Sequence, residues 1–356
     1  MIDSGQMALT ELAEYCQLAE ELSSHIVYRL LLGYSFLACF IATPAQIYFF
    51  VKICLKFHCQ GNIKFLLNVY FFVSLLFSLI SACAFVSNIT SCFSKTSAIQ
   101  GWRNIVTQFA TDCNLLINKF FFTAYHLPSL FLMTLQMLIP VGFSIERYVA
   151  LKNAGSYEHR KTRLGPVLTA ILAAVDSLVM LFLFCDEPFH GPFISLILVP
   201  PASAAHFNIY CVILLLIQIG NLVVNVILLK KQKIQPSVHN LSYRYEMEEF
   251  KDATNFILFI SFWHIVFAGS YVIGGSLARL VGPMVFDKMV HYTAARAMFC
   301  AMPTYNVFIV FAAMWKLNKI DQRKKGRMEK DIELNTIGNA GIENYNKVSK
   351  MLVNFE

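Results

Sequence analysis

Apolar runs and isolated charges punctuate this chain. Residues 30–51 are uncharged between Arg29 and Lys52, and an apolar run over 65–86 follows Lys64. A third run ends abruptly: 26 uncharged residues, 120–145, lead straight into Glu146 and Arg147. Its start lies near residue 116 when Lys119 reaches back to water. Residues 164–185 form a fourth run, broken by Asp176 alone. The next 42 residues, 188–229, carry no formal charge and are too many for one crossing. Pro200, Pro201, Ser203 and His206 divide them, leaving 186–205 as loop and 206–229 as the fifth run. A sixth covers 253–274, and a seventh covers 293–315 with Arg296 near its start. About 20 apolar residues cross a bilayer core as a helix, because a helix pairs its backbone groups within itself. The pattern predicts an all-α membrane protein, a seven-transmembrane helix bundle with spans at about 30–51, 65–86, 116–146, 164–185, 206–229, 253–274 and 293–315.

Composition agrees. The 356 residues are 57% hydrophobic and 14% charged, where soluble domains carry about 25% charge. Residues 1–28 hold Asp3, Glu11, Glu14, Glu20 and Glu21 and no basic segment, so the first span is expected to insert as its own signal anchor. The ten cysteines show no Cys-x-x-Cys spacing, and His126, His264 and Asp176 lack metal-ligand spacing. No metal, cofactor, enzyme activity or nucleic-acid partner is expected.

Lysine and arginine set the orientation. Taken alternately, one set of non-membrane segments carries 6 cations: Arg29, Lys95, Arg103, Arg279, Lys288 and Arg296. The other carries 22, including Lys152, Arg160, Lys161, Arg163, Lys230, Lys231 and nine in the tail. The N-terminus, 1–29, is therefore expected outside and the tail, 316–356, in the cytoplasm of a plasma-membrane protein. The sequon at Asn88 falls outside in this scheme, close to the end of span two; a second, at Asn240, falls inside.

Span three then closes at the inner face with Glu146-Arg147-Tyr148. The plain reading is a positive-inside anchor. The sharper reading is a switch, because an arginine held by a neighbouring carboxylate can change partners when helices move.

Seven spans and Glu-Arg-Tyr resemble a G-protein-coupled receptor. "IERYVALKNAGSYE" (145–158), "LSYRYEMEEF" (241–250), "FHCQGNIKFLL" (57–67) and "AMPTYNVFI" (301–309) together resemble the nematode chemosensory serpentine receptors of the Sra superfamily. The nearest classes by these motifs are alpha/beta and alpha, with b and e as neighbours. The resemblance implies a receptor for an external small molecule, acting in olfaction through a heterotrimeric G protein, possible in sensory cilia and as a receptor dimer. It has departures. Span six reads Phe262-Trp263-His264, span seven lacks Asn-Pro-x-x-Tyr, and position 122, 25 residues before Arg147, is Phe rather than Cys. Glu246 and Phe250 stand where the nematode pattern has Gln and Asn.

On the inner side, Arg244 and Glu248 are spaced to pair along a helix extending span six, and Glu248 or Glu249 could capture Arg147. A solvated helix face is the plainer alternative. Residues 316–330, with Trp315, Leu317 and Ile320 against Lys316, Lys319 and Arg323, suit an amphipathic helix on anionic membrane lipid. On the outer side, Cys113 is the candidate for a bridge to Cys185 or Cys92, with free buried thiols as the alternative. Candidate ligand contacts are Phe122, Tyr125 and His126 in span three, His206 and Tyr210 in span five, and Trp263, His264 and Tyr271 in span six. Each also suits plain helix packing. Asp176 and Arg296 are costly in a membrane and count as functional hypotheses. A seven-span transporter or ligand-gated channel is the other function class; it calls for an inverted repeat or a charged pore, and neither is visible.

Overall fold

The computed structural model describes residues 4–54, 61–93, 119–152, 163–187, 189, 193, 195, 199–234, 241–299, 301–336 and 342. Its regular elements are helices: α1 (Ser4–Ser24), α2 (Ile26–Phe49, continued by a π-helical turn Phe50–Cys54), α3 (Gly61–Phe93), α4 (Lys119–Lys152), α5 (Leu164–Phe184), α6 (Pro201–Ile234), α7 (Leu241–Val285), α8 (Met289–Met298) and α9 (Met302–Thr336). Seven segments are long and apolar enough to cross a membrane, and each overlaps one of the expected spans, the second, third and fourth of which run one to three residues past the segment. Residues Met1–Val310 form one compact unit and Phe311–Glu356 a second.

Within the first unit α4 is the central post, packed on α3, α5, α6 and α7. Of its most apolar window 78% is buried, against 22% for α5, most of whose surface is exposed. Faces are set by residue size as much as by polarity. On α2, Ser35, Ala38, Cys39, Ala42 and Gln46 are buried, while Leu30, Leu37, Phe40, Ile41 and Ile47 are exposed. Lipid tails are as apolar as leucine, so association in a membrane favours small residues that let backbones approach and polar residues that bond across. Gly165 of α5 does the former: its amide donates to Oδ1 of Asn62 on α3 at 3.2 Å. A Cβ at that glycine would fall within 2.7 Å of the Asn62 carbonyl oxygen.

Three elements differ from the expectation. The N-terminal segment contains a helix, α1, whose Leu22 packs with Tyr28 of α2 and with Val290, Ala294 and Ala297 of α8. Its Cys16 is disulfide-bonded. Span seven is two helices, broken around Phe299 and Ala301, where the Ala301 amide donates to the Phe299 carbonyl at 2.8 Å. Pro303 stands in the first turn of α9, a position that tolerates its missing amide, and so does not kink a continuous span. Span five starts five residues earlier than expected, with Pro201 as the first residue of α6. In the second unit α9 carries 316–330 as part of one helix rather than as a separate element, with the Lys319 ammonium 5.1 Å from the centre of the Trp315 ring.

Candidate functional site

The foot of α4 is the most tightly specified polar feature. Glu146 and Arg147 are both fully buried. The Arg147 fork grips its neighbour's carboxylate twice, Nε to Oε2 at 2.6 Å and Nη2 to Oε1 at 2.9 Å. Two parallel charge-assisted bonds of this kind are about twice as strong as neutral ones and fix geometry as well as energy. The guanidinium also lies 4.8 Å from the centre of the Phe250 ring on α7, and Phe250 packs with Ala150 one turn further along α4. A contact from span six to Arg147 comes from the aromatic side chain at 250. Of the two acids weighed as captors, Glu248 is exposed and Glu249 half-buried. Tyr148 is also exposed, at 55%. Arg244 lies on α7 with its side chain outside the described residues.

A polar seam runs through the middle of the bundle, centred on Asn306 of α9. Its Oδ1 accepts from Ser74 Oγ on α3 at 2.9 Å and from Gln136 Nε2 on α4 at 3.5 Å. Its Nδ2 donates to Ser78 at 3.2 Å. Gln46 of α2 donates to Ser74 at 2.7 Å and to the Asn306 carbonyl at 3.4 Å. One turn away, the Tyr70 hydroxyl bonds to that of Tyr305 and, at 3.1 Å, to Nδ1 of His264. Four spans are joined through one asparagine, and a fifth, α7, enters through His264. Asn306 was missed in the sequence. The signal was there as scattered Gln, Ser and Asn inside apolar runs, since buried polar groups need partners.

The ligand candidates divide. Phe122 is buried and sandwiched: its ring stacks on His126 at 4.7 Å and on Phe193, from the segment between α5 and α6, at 3.8 Å. Tyr125 is half-buried beside that cluster. That segment is tied down by the Tyr28 hydroxyl, which donates to Ser195 at 2.6 Å. Tyr210 donates to Asp176 at 2.8 Å, and Thr134 of α4 donates to its other oxygen at 3.0 Å, so this fully buried carboxylate joins α5 to α4 and α6. His264 belongs to the central seam. Trp263 is half-buried and packs on Phe308 at 4.6 Å. Tyr271 is half-buried and His206 exposed. Cys185 carries a free thiol whose Sγ lies 3.2 Å from the Phe182 carbonyl, which removes the expected Cys113–Cys185 bridge. Cys113 and the side chain of Cys92 lie outside the described residues, as does the side chain of Asn88 in the last turns of α3.

The bundle, the buried Glu-Arg pair and the central seam invite comparison with known proteins. A family model described as the serpentine type 7TM GPCR chemoreceptor Srb matches residues 24–268. The chain belongs to this family of serpentine chemoreceptors. It is 37% identical to serpentine receptor class beta-3 of Caenorhabditis elegans over 334 residues, 94% of each chain. It is 38% identical to class beta-12 over 338 residues, 93% of this chain and 92% of that one, and 36% identical to class beta-1 over 336 residues. The class is beta, a neighbour of the alpha and alpha/beta classes that the motifs evoked. Membership makes the chain a multi-pass membrane protein of a receptor class rather than an enzyme class.

Proposed function

We propose that this serpentine receptor binds an external small-molecule cue at the end of the bundle away from Arg147 and activates a heterotrimeric G protein at the Arg147 end. The observation that supports this most is the way Arg147 is held. Its carboxylate partner lies on its own helix, and its aromatic cover, Phe250, lies on another. Withdrawing α7 from α4 removes the cover without breaking the ion pair, and presents a charged fork to a partner. A cue favours the withdrawn state by binding it better than the covered one. The N-terminus is outside and the tail cytoplasmic, in a plasma membrane that can be that of a sensory cilium.

The test is a calcium or cAMP assay in a heterologous cell against a chemical panel. Arg147→Ala, present at the surface in normal amount, is expected to abolish the response; a variant that signals like the unmodified receptor would overturn the reading. Antibody access to the tail in unpermeabilised cells would overturn the orientation.

A further inference from the structure

At the end of α4 away from Arg147 three rings lie in a stack. His126 is parallel to one side of Phe122 at 4.7 Å and 19°, and Phe193 stacks on Phe122 at 3.8 Å and 3°. Phe122 and His126 are buried on a crossing helix. Phe193 is half-buried and comes from the segment between α5 and α6. That segment is fastened on either side of the ring. Before it, the Glu187 carboxylate accepts from the Ser203 amide at 2.9 Å and from its hydroxyl at 2.7 Å. After it, Ser195 accepts from Tyr28 at 2.6 Å. Between the two fastenings Phe189 has a φ of 46°, the left-handed region that a bulky side chain rarely adopts. The Phe189 and Phe193 rings both pack on the buried pair Ala84 and Phe122, beside Tyr125.

The helices thus supply a rigid floor, Phe122 backed by His126, and a strained segment supplies the ring that lies on it. Backbone strain of this kind gathers at ligand clamps and switches, because it persists only where the surroundings hold it. The parallel contact shows that the floor takes a flat ring at van der Waals distance. Phenyl faces are both electron-rich, so a face laid on a face is not the best partner for Phe122. A ring drained of electrons fits the same parallel geometry better. We propose that the place filled by Phe193 is the seat of a planar, electron-poor aromatic cue, which displaces Phe193 and stacks on Phe122. Release of the left-handed turn at Phe189 offsets part of the cost of moving the ring, while the fastenings at Glu187 and Ser195 keep the segment in place. The proposal rests on the receptor reading and names the class of cue.

The test uses the full chain in dodecyl maltoside. The probes are pentafluorobenzyl alcohol, benzyl alcohol and cyclohexylmethanol, which share a hydroxymethyl group and a six-membered ring. The first ring is electron-poor, the second electron-rich and the third neither flat nor aromatic. Direct binding is read by ligand-observed NMR, without a G protein, so failure to bind and failure to couple are separate results. Affinity is expected to fall in that order, by about threefold or more at each step. Phe122→Leu removes the floor and is expected to bring the three probes within about twofold of one another. Phe193→Ala vacates the seat and is expected to tighten pentafluorobenzyl alcohol while keeping the order; it carries the test with the unmodified receptor if Phe122→Leu lowers the melting temperature too far. Cyclohexylmethanol binding as well as pentafluorobenzyl alcohol, or the order surviving Phe122→Leu, overturns the proposal. Absence of binding to the unmodified receptor overturns it too. If Phe193→Ala then binds the probes, Phe193 is fixed packing and its removal has opened an apolar cavity.

Discussion

Glu146 and Asp176 are both fully buried carboxylates in membrane-crossing helices, and they are satisfied in opposite ways. Glu146 is gripped by an arginine one residue along the same helix. Asp176 is met by two neutral hydroxyls, Thr134 and Tyr210, from two other helices. The first arrangement pairs the two charges along one helix, with the Phe250 ring of α7 against the guanidinium. The second fastens α4, α5 and α6. One carboxylate is placed where a neighbour can leave, the other where neighbours are held.

The sharpest way to break this contrast is to strip Glu146. Glu146→Leu leaves a buried, unpaired Arg147, which costs about 3–5 kcal/mol; a large fall in melting temperature and surface expression is expected. Tyr210→Phe takes one donor from Asp176 and costs about 1.5–3 kcal/mol, the range for a hydrogen bond to a charged group. It is checked by thermal unfolding in detergent and is expected to leave basal signalling unchanged, because α7 is untouched. Phe250→Leu keeps an apolar side chain beside Ala150 and removes the ring from Arg147, losing about 0.5–2 kcal/mol. This variant is expected to raise basal signalling; unchanged basal signalling with reduced stability would make Phe250 mere packing. Asp176→Asn is the mildest: one oxygen still accepts, and the expected change is under about 1 kcal/mol. A loss of signalling in that variant at normal stability would make Asp176 part of the response rather than a fastener.

Much of this architecture was legible because membrane helices declare themselves by length and by the charges that stop them. The Glu146-Arg147 boundary, the placing of α4 and the helical run before span six were read in this way. What escaped depends on pairing between distant residues or on backbone breaks that hydropathy does not register. The break around Phe299 lies inside the continuous apolar stretch Ala297 to Met302, so no polar residue marks it. Helix α1 carries four acids within 11–21, and the reading of 1–29 as an outer N-terminus took them in without a helix, although Leu18, Leu22 and Ala19 form an apolar face at helical spacing. Glu248 and Glu249 were weighed for Arg147 because opposite charges are the obvious match, and Phe250 was not weighed. The helix buries Phe250, and its ring face lies against the guanidinium.

The split of the seventh crossing has a mechanical consequence. Its first piece, ten residues long, carries Arg296 and supports the N-terminal helix, while Tyr305 and Asn306 sit beyond the interruption. A short cylinder with its own ends can roll about its axis without dragging the asparagine out of register. Besides the backbone of the seventh crossing, α8 packs on α7, the helix whose other end sets Phe250 against Arg147.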